Sequence, residues 1–464
     1  MPHVVTQSCC SDASCVFACP VNCIHPTPDE PDFATAEMLY VDPDACIDCG
    51  ACITACPVDA IVPDRRLGPE QLPFLQINAD FYKTPRERPV LAPVLTSTKA
   101  NGDLTVAIVG SGPAAMYAAD EVLKQEGATV HMYERLPQPY GLVRAGVAPD
   151  HTKTKQVAVL FDKITRERGF NLHTGVEVGR DVQHADLARE HHAVIYAVGA
   201  SSDKRLSIPG AELASTATEF VGWYNGHPDH ADHSFDLTQR RAVIVGNGNV
   251  ALDVARILLT DPERLDGTTI DPKALAALRK SQIEEVVIVG RRGVEHSAFT
   301  LPELIGLLGH GDFDVLYDGS AAADTSHKSA LVTRLGTEAT AGRRRIVFRY
   351  NNSPEYIRDG VIGFSSGLEI EAGLILTSIG YHGKPVPGLP FDAATGTVPN
   401  EAGRVLDLSG VYVTGWIKRG PTGFIGTNKS CAHETVETLV ADFNRGSLPS
   451  PVAKPDGLLR WLTR

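Results

Sequence analysis

The fold class can be recognised from residues 104–115, which read Leu-Thr-Val-Ala-Ile-Val-Gly-Ser-Gly-Pro-Ala-Ala. Its first six residues are almost all apolar and do not alternate with polar ones, which is typical of a strand buried on both faces of a parallel sheet. Gly110 permits a tight turn, Gly112 lets the backbone approach a pyrophosphate, and Ala115 allows close packing of the helix that follows. A second strand ends at Glu134, whose carboxylate can bond a ribose hydroxyl. This order of elements predicts a dinucleotide-binding unit.

A second unit of the same kind begins at Arg241-Ala-Val-Ile-Val-Gly-Asn-Gly-Asn-Val-Ala251, with Gly246 and Gly248 in its turn. The strand after its helix ends in Arg291 and Arg292 instead of an acidic residue. Guanidinium groups suit a 2′-phosphate through charge-assisted hydrogen bonds, although such a pair can also be a solvated turn. The sequence therefore predicts FAD in the first unit and NADP(H) in the second.

Nine of the ten cysteines lie within residues 9–56. In a chain without a recognisable signal peptide, such clustering favours metal binding over disulfides. The run Cys46-x-x-Cys49-x-x-Cys52-x-x-x-Cys56-Pro57 is that of bacterial ferredoxins, in which three thiolates hold one iron–sulfur cluster and the fourth ligates another. We therefore predict a two-cluster N-terminal module, residues 1–66.

A degenerate copy of this run lies 37 residues upstream, since Ala18-Cys-Pro-Val-Asn22 matches Ala55-Cys-Pro-Val-Asp59. The duplication predicts a pseudo-two-fold module with two clusters. The cross-over of ligands between the clusters then assigns one complete [4Fe–4S] cluster to Cys19, Cys46, Cys49 and Cys52. The other cluster falls to Cys9, Cys15 and Cys56.

The second cluster is one thiolate short, because Asp12 stands where the other copy has Cys49. Three thiolates suit a [3Fe–4S] cluster, or a labile fourth iron bound by the Asp12 carboxylate. Cys10 could instead complete an ordinary [4Fe–4S] cluster if the loop bends. Cys23 and Cys431 are expected to be buried thiols without a ligand role.

Charge and hydropathy limit the partners. The net charge of −13 argues against nucleic acid, and residues 1–66 hold ten acidic side chains against two arginines, a pattern that suits a steered contact with another protein. No apolar run approaches the roughly 18 residues that a membrane span needs, so we expect no membrane insertion. The N-terminus lacks the pattern of a signal peptide, which predicts a cytoplasmic protein.

Two further segments carry a family resemblance. Residues 137–151 read Pro-Gln-Pro-Tyr-Gly-Leu-Val-Arg-Ala-Gly-Val-Ala-Pro-Asp-His, and residues 415–429 read Gly-Trp-Ile-Lys-Arg-Gly-Pro-Thr-Gly-Phe-Ile-Gly-Thr-Asn-Lys. Both closely resemble the adrenodoxin-reductase family of ferredoxin–NADP reductases. With its cysteine-rich module, the whole chain looks like the actinobacterial reductases fused to a ferredoxin.

The resemblance implies roles for individual residues. It implies that the FAD site is lined by Ala114, Glu134, Leu142 and Val178, with Trp416 and the backbone of Gly423, Phe424 and Ile425 near the flavin ring. It implies that NADPH is held by Asn247, Gly248, Asn249, Val250, Arg291, Arg292 and Glu303, with Gly423 close to the nicotinamide. His151 matches a family histidine near the ring, which orients the ring or relays protons.

The expected architecture is α/β, with two nested Rossmann-like domains after a small α+β two-cluster ferredoxin domain. The expected bounds are 1–66 for the ferredoxin, 67–103 for a loosely structured linker whose segment 74–82 could pack on a domain, 104–200 and 367–464 for the FAD-binding domain, and 201–366 for the NADP-binding domain. The expected activity is hydride transfer between NADPH and FAD, followed by one-electron transfer to the clusters or to a separate ferredoxin or other redox protein. An electron-input subunit resembling the small subunit of glutamate synthase and a non-enzymatic redox protein are the alternatives.

Overall fold

This computed structural model describes residues 2–84, 97–319, 322, 324 and 326–452. The N-terminal module contains two short helices and two pairs of antiparallel strands, β1 with β4 and β2 with β3. Its elements are β1 His3–Val5, α1 Ser14–Ala18, β2 Ile24–His25, β3 Tyr40–Val41, α2 Ala51–Ala55 and β4 Ile61–Pro63, followed by α3 Pro73–Lys83.

The backbone of the N-terminal module repeats itself after 37 residues, as the duplicated sequence predicts. Helices α1 and α2 each have five residues and begin after a residue in the left-handed region, Ala13 at φ 59° and Gly50 at φ 76°. The left-handed Ser11 (φ 56°) likewise has Asp48 (φ 56°) as its counterpart. Each copy therefore places its cysteines on the same kind of turn.

Part of the expected linker is a helix. In α3, Asn78 is buried, its side chain accepts hydrogen bonds from the N–H groups of Val5 (3.2 Å) and Val41 (2.9 Å), and Phe74 is buried in the core of the module. The expectation of a loose connector over 67–103 is therefore wrong for residues 73–83, and the alternative that segment 74–82 packs on a domain is confirmed. Only Phe74 and Asn78 of this helix are buried, so its apolar periodicity in the sequence is too weak to identify a helix. The remainder of the expected linker at 85–96 lies outside the described residues.

The first nucleotide-binding domain is built on a seven-stranded sheet of order β20-β21-β22-β8-β5-β6-β7, with β22 to β7 parallel. Its first segment comprises β5 Thr105–Val109, α4 Pro113–Leu123, β6 Thr129–Glu134, α5 Leu142–Ala145, α6 Thr152–Lys155, α7 Val157–Ile164, β7 Phe170–Thr174, α8 His184–Glu190 and β8 Ala193–Tyr196. The chain returns to this sheet after the second domain, through β19 Tyr381–His382, β20 Asn400–Glu401, β21 Arg404–Val405, β22 Val411–Val413, α15 Trp416–Arg419 and α16 Thr427–Asn444.

The second nucleotide-binding domain contains a six-stranded parallel sheet of order β10-β18-β11-β12-β14-β13. Its elements are β9 Ser202–Asp203, β10 Ser215–Thr216, α9 Ala217–Tyr224, β11 Arg241–Val245, α10 Asn249–Leu259, α11 Pro262–Leu265, α12 Pro272–Leu278, β12 Glu285–Val289, α13 Leu301–Leu308, β13 Phe313–Asp318, α14 His327–Thr333, β14 Arg344–Arg349, β15 Pro354–Arg358, β16 Val361–Phe364, β17 Glu369–Glu371 and β18 Leu374–Thr377. Short 3₁₀ turns occur at Pro31–Ala34, Asp64–Arg66, Pro69–Gln71, Ala211–Leu213, Pro228–His230 and Val294–His296.

The second domain extends beyond the boundary expected at residue 366. Strand β18 pairs in parallel with β11, so it belongs to the six-stranded sheet. The reason for the difference is that a fully buried apolar strand reads the same in either parallel sheet, and sequence order does not say which sheet it joins. The antiparallel pair of β9 and β19 marks where the chain passes between the two domains.

Alternate residues of the central strands enter different cores. In β5, Val106 and Ile108 pack in one apolar cluster, whereas Ala107 and Val109 pack in another on the opposite face. The strands of the second sheet divide in the same way. Burial on both faces explains the continuous apolar runs in the sequence, and it places the carboxyl ends of the strands at one edge, where ligands bind in such folds. Among the described residues, no helix combines the length and the apolar character needed to span a bilayer.

Candidate functional site

The first glycine turn joins β5 to α4. Gly110 has φ +97°, and a Cβ there would lie 2.7 Å from the carbonyl oxygen of Ala197. A Cβ on Gly112 would meet no atom within 4 Å, so the turn leaves open space before the first N–H groups of α4. Ala114 and Ala115 are buried beside the sheet. A helix N-terminus that opens onto such a space can hold phosphate groups.

Glu134 lies at the end of β6 and is buried. Its carboxylate accepts hydrogen bonds from the Ser111 hydroxyl (2.5 Å) and from the N–H of Leu136 (2.8 Å). Because a carboxylate has about four acceptor positions, it retains capacity for a ribose hydroxyl. Of the other residues implied for this site, Leu142 is 46% exposed and Val178 is half-buried.

The C-terminal segment returns to the same glycine turn. Gly415 has φ +73°, and a Cβ there would lie 2.5 Å from the Cβ of Ala114. Trp416 follows directly and stacks on Tyr381, with ring centroids 5.6 Å apart and an interplanar angle of 26°. The structure therefore places an aromatic pair next to the first turn.

The loop before α16 is held by side chains of that helix. Asn428 donates hydrogen bonds to the carbonyls of Phe424 (3.1 Å) and Ile425 (3.0 Å), and the Thr427 hydroxyl accepts one from the N–H of Phe424 (2.9 Å). Gly423 precedes these residues at φ +80° and is exposed. The backbone of residues 423–425 is thus fixed, and its first residue is exposed to solvent.

The second glycine turn has the same form as the first. Gly246 has φ +114°, and a Cβ on Gly248 would meet nothing within 4 Å. Asn249 starts α10 and accepts a hydrogen bond from the N–H of Thr300 (2.8 Å), which ties the turn to the loop before α13. The half-buried Asn247 and Val250 flank this position.

Arg291 and Arg292 follow β12 directly and are exposed. Within the part of the chain that the structure describes, neither forms an ion pair. Their guanidinium groups are therefore available to an anionic ligand at the edge of the second sheet.

His151, Asp253 and Glu303 form a cluster between the two nucleotide-binding domains. His151 Nε2 lies 3.7 Å from an Asp253 oxygen and 3.8 Å from a Glu303 oxygen. The buried Arg256 forms ion pairs with Asp253 (2.8 Å) and Asp150 (2.7 Å). Burial raises the pKa of Glu303, and the charge of His151 opposes that rise. The charges of the carboxylates, the histidine and the arginine balance one another in this cluster, which joins residues of both nucleotide-binding domains.

One cavity in the N-terminal module is lined by four of the predicted ligands. Cys19, Cys46, Cys49 and Cys52 line one small cavity. Cys49 is exposed, so this cavity lies at the surface. Cys23 also lines it, with its sulfur 3.4 Å from that of Cys19, a position that the sequence does not reveal because Cys23 lies outside the repeated spacing.

Cys9, Cys15 and Cys56 form a second, more deeply placed group. Burial raises the pKa of Cys9 to about 11, and the nearby Cys56 adds to the effect. Cys10 is buried beside the same group. Burial raises its pKa, and the nearby charges of Asp12, Cys9 and Cys56 raise it further. Burial thus favours the protonated thiols, and metal binding would have to displace those protons.

The Asp12 carboxylate, predicted as a possible iron ligand, has other partners. It accepts hydrogen bonds from the Ser14 N–H (3.3 Å) and the Ser14 hydroxyl, and it lies 3.8 Å from Lys429 Nζ. Lys429 also donates to the Ser14 hydroxyl (2.9 Å). The arrangement ties the first cysteine loop to helix α16.

The backbones of these segments also meet. The N–H of Gly426 donates a hydrogen bond to the carbonyl of Cys10 (2.8 Å), and a Cβ on Gly426 would lie 2.2 Å from the backbone nitrogen of Asp12. We call the contact between residues 10–14 and residues 425–429 the loop contact. Sequence reasoning missed this contact, because no spacing rule links segments more than 400 residues apart.

The donor sets fit the groups that the sequence predicts. Open glycine turns at two helix N-termini fit two dinucleotides. The Glu134 carboxylate suits a ribose with a free hydroxyl, whereas Arg291 and Arg292 suit a ribose with a 2′-phosphate. Thiolates are the usual ligands of iron–sulfur clusters, and the described cysteines form two groups.

Comparisons with known proteins agree with this geometry. Residues 104–297 match the family described as pyridine nucleotide-disulphide oxidoreductase, and residues 39–62 match the 4Fe-4S binding domain. A probable ferredoxin/ferredoxin–NADP reductase of Mycobacterium tuberculosis is 55% identical, over 99% of this chain and 87% of its own length. The NADPH-ferredoxin reductase FprA of Mycobacterium leprae is 46% identical, over 72% of this chain and 83% of its own.

The solved structure of Mycobacterium tuberculosis FprA in complex with NADPH superposes with a TM-score of 0.73 at 43% identity, covering 78% of this chain and 90% of that one. The predicted fold class, two Rossmann-like domains preceded by a ferredoxin module, is confirmed by these matches.

Proposed function

Because this chain belongs to the ferredoxin–NADP reductases that carry a ferredoxin module of their own, we propose that its two cysteine groups act in series, the deeper group receiving electrons and the surface group passing them on. The chain is an FAD- and NADP-dependent oxidoreductase, as predicted. Bound FAD supplies the step from two-electron chemistry with NADPH to one-electron chemistry with iron–sulfur clusters.

The proposed coenzyme sites follow the two glycine turns. Gly110, Gly112 and the start of α4 hold the FAD pyrophosphate, and Glu134 holds a ribose. Gly246, Gly248 and the start of α10 hold the pyrophosphate of NADP(H), and Arg291 and Arg292 bind its 2′-phosphate. His151 and Glu303, which lie between the domains, orient the reacting rings. We assign residues 104–200 and 378–452 to FAD binding and residues 201–377 to NADP binding.

The proposed entry point for electrons is the group of Cys9, Cys15 and Cys56. Ile425, in the loop near the aromatic pair, packs in the same apolar cluster as Cys9 and Cys56. Three thiolates make this a [3Fe–4S] cluster, and a [4Fe–4S] cluster results if Cys10 adds the fourth. The Asp12 carboxylate is assigned to the loop contact rather than to iron, since Ser14 and Lys429 engage it.

The proposed exit is the cluster held by Cys19, Cys46, Cys49 and Cys52. Its cavity has an apolar rim, where Ile47 is 59% exposed and Val21 is 36% exposed. The N-terminal module carries ten acidic residues against two arginines, so the acceptor best suited to this surface is a redox protein with a basic face.

The observation that carries this order is the hydrogen bond from Gly426 to Cys10, which brings the first cysteine loop against the FAD-site loop. The test is Cys49→Ser, which removes a ligand of the surface cluster only. We expect a lower iron content, while NADPH still reduces the flavin and the remaining cluster. Electron delivery to a protein acceptor should fall by at least about tenfold, since the exit is lost.

Thr54→Ala is the matched control, because Thr54 is exposed on α2, the helix that follows Cys49, and is not an assigned ligand. It should keep the iron content and the rate of the parent chain. If Cys49→Ser retained one cluster and NADPH could no longer reduce it, the surface cluster would be the entry point and the proposed order would be wrong.

A further inference from the structure

The N-terminal module contacts the helix that carries Glu303. Gln7 donates a hydrogen bond from Nε2 to the Glu303 carboxylate, with a length of 3.0 Å. Among the described residues, Gln7 is the one that hydrogen-bonds the Glu303 side chain. Because Gln7 is two residues before Cys9, the same loop reaches both the cysteine group and this carboxylate.

A second contact holds the start of the same helix. The Glu37 carboxylate accepts a hydrogen bond from the N–H of Leu301 (2.6 Å), the first residue of α13, and pairs with Lys328 Nζ (2.8 Å). The N-cap residue of α13, Thr300, makes no side-chain cap. A carboxylate at a helix N-terminus satisfies an N–H group without an intrahelical partner and opposes the helix dipole favourably. The cap of α13 therefore comes from the N-terminal module.

Packing around α13 agrees with these hydrogen bonds. Ile305 is only 5% exposed and lies in the core of the N-terminal module, with Phe74 and Val5. A Cβ on Gly306 would lie 2.1 Å from the Gln7 amide nitrogen, so the bare glycine makes room for Gln7. Helix α13 is thus packed into two modules at once.

Among the described residues of its own domain, none donates a hydrogen bond to the Glu303 carboxylate. Its charged neighbours are His151, Asp253 and Arg256, and of these Arg256 is paired with Asp150 and Asp253. His151 Nε2 lies 3.8 Å from the Glu303 oxygen, which is longer than a hydrogen bond. The orientation of the carboxylate therefore depends on Gln7.

We propose that the N-terminal module completes the NADP(H) site, with Gln7 and Glu37 as positioning residues that hold Glu303 and the start of α13 for the coenzyme. This inference rests on the proposed assignment of Glu303 to NADP(H). The N-terminal module then raises the affinity for NADP(H), an effect on binding that is separate from electron transfer by its clusters. An ordered site costs less on binding than one that the coenzyme must order itself.

The test replaces Gln7 in the full holoenzyme. Gln7→Met keeps the volume and removes the N–H donor, whereas Gln7→Glu also places a second carboxylate against Glu303. We expect the Kd of NADP⁺, measured by titration calorimetry, and the KM of NADPH to rise by about fivefold in Gln7→Met and more in Gln7→Glu, the usual effect of one hydrogen bond. The kcat for reduction of a small dye should change by less than about twofold, because the reacting groups remain.

The matched control is Gln76→Met, since Gln76 is exposed on α3 and hydrogen-bonds only Asp80 among the described residues. Glu37→Gln weakens the cap at the start of α13 and should raise the Kd of NADP⁺ by about threefold. Iron and flavin content are measured for each variant, so that a folding defect is recognised.

Kd values of Gln7→Met, Gln7→Glu and Glu37→Gln equal to that of Gln76→Met would overturn the inference. Failure of the proposed assignment of Glu303 has a different signature, because Glu303→Gln itself would then leave the Kd of NADP⁺ unchanged, whereas it would raise that Kd if only the role of the N-terminal module were wrong.

Discussion

Arg292 is the side chain that we propose to select NADPH over NADH. It is exposed at the end of β12, where the first domain has the buried Glu134. Arg292→Ala removes a charge-assisted hydrogen bond to the 2′-phosphate. We expect the KM of NADPH to rise about 10- to 100-fold and that of NADH to stay constant in steady-state assays. Arg334→Ala, an exposed arginine of the same domain, is the control. An unchanged preference for NADPH over NADH would contradict the assignment.

Asp12 tests whether a carboxylate binds iron. Because it is engaged by Ser14 and Lys429, we expect Asp12→Asn to retain the iron-to-flavin ratio and the EPR spectrum of the parent chain. Cys15→Ser, which removes an assigned ligand from the same loop, should lose the cluster. Loss of iron in Asp12→Asn as well would show that the carboxylate is a ligand.

Residues whose role follows from local spacing could be predicted from the sequence. The glycines at 110, 112, 246 and 248 and the cysteine run were predicted as turn and cluster residues, and the structure places them in open turns and at two cysteine groups. Gln7, Gly426 and Lys429 were missed, because each acts through a partner hundreds of residues away. Only a contact map shows such residues, since an isolated glutamine or lysine is ordinary at any surface.

At the scale of elements, α10 is joined to the first domain through a buried ion pair. Arg256 donates two hydrogen bonds to Asp150 (2.7 and 3.0 Å), just before His151, and is only 3% exposed. Asp150→Asn leaves this guanidinium with Asp253 alone. We expect destabilisation by about 2–4 kcal/mol, measured as a lower denaturation midpoint of the holoenzyme. Asp266→Asn, at an exposed ion pair with Arg279, should change the midpoint very little.

The pH dependence of this pair has a definite sign. Burial alone would raise the pKa of Asp150, but the charge and hydrogen bonds of Arg256 outweigh burial and lower it to about 2. A depressed carboxyl pKa stabilises the fold above the unfolded pKa of about 3.9 and loses that effect as the pH falls toward the folded value. The penalty of Asp150→Asn should therefore be complete at neutral pH and shrink only below about pH 4. A penalty that varied between pH 6 and 8 would point to another group.

Strands that are buried on both faces of a sheet could be predicted from the sequence. Continuous apolar runs identify β5, β8 and β11, and each is buried. The sheet that β18 joins was not predictable, because its neighbours are chosen by packing rather than by its own residues. Helix α3 was hidden for a related reason, since it is held by Asn78 and by contacts with an already folded module.

For the whole molecule, the loop contact sets the approach of the N-terminal module to the FAD site. Gly426→Ala would place a Cβ 2.2 Å from the Asp12 backbone and push the two loops apart. We expect flavin reduction by NADPH to keep its rate while cluster reduction slows by about tenfold or more, as a small misplacement does in oriented reactions. Gly102→Ala, where the nearest atom is 3.9 Å away, is the control. Equal cluster reduction rates in both variants would show that this contact does not govern transfer.

Electron transfer from NADPH through flavin to the clusters can be followed by anaerobic stopped-flow mixing of the full chain with NADPH, recording the flavin and iron–sulfur bands separately. We expect the flavin band to bleach first and the cluster bands to follow, at a rate independent of protein concentration because transfer occurs within one chain. Clusters that stay oxidised beside a reduced flavin, or that are reduced at a rate proportional to protein concentration, would contradict this expectation.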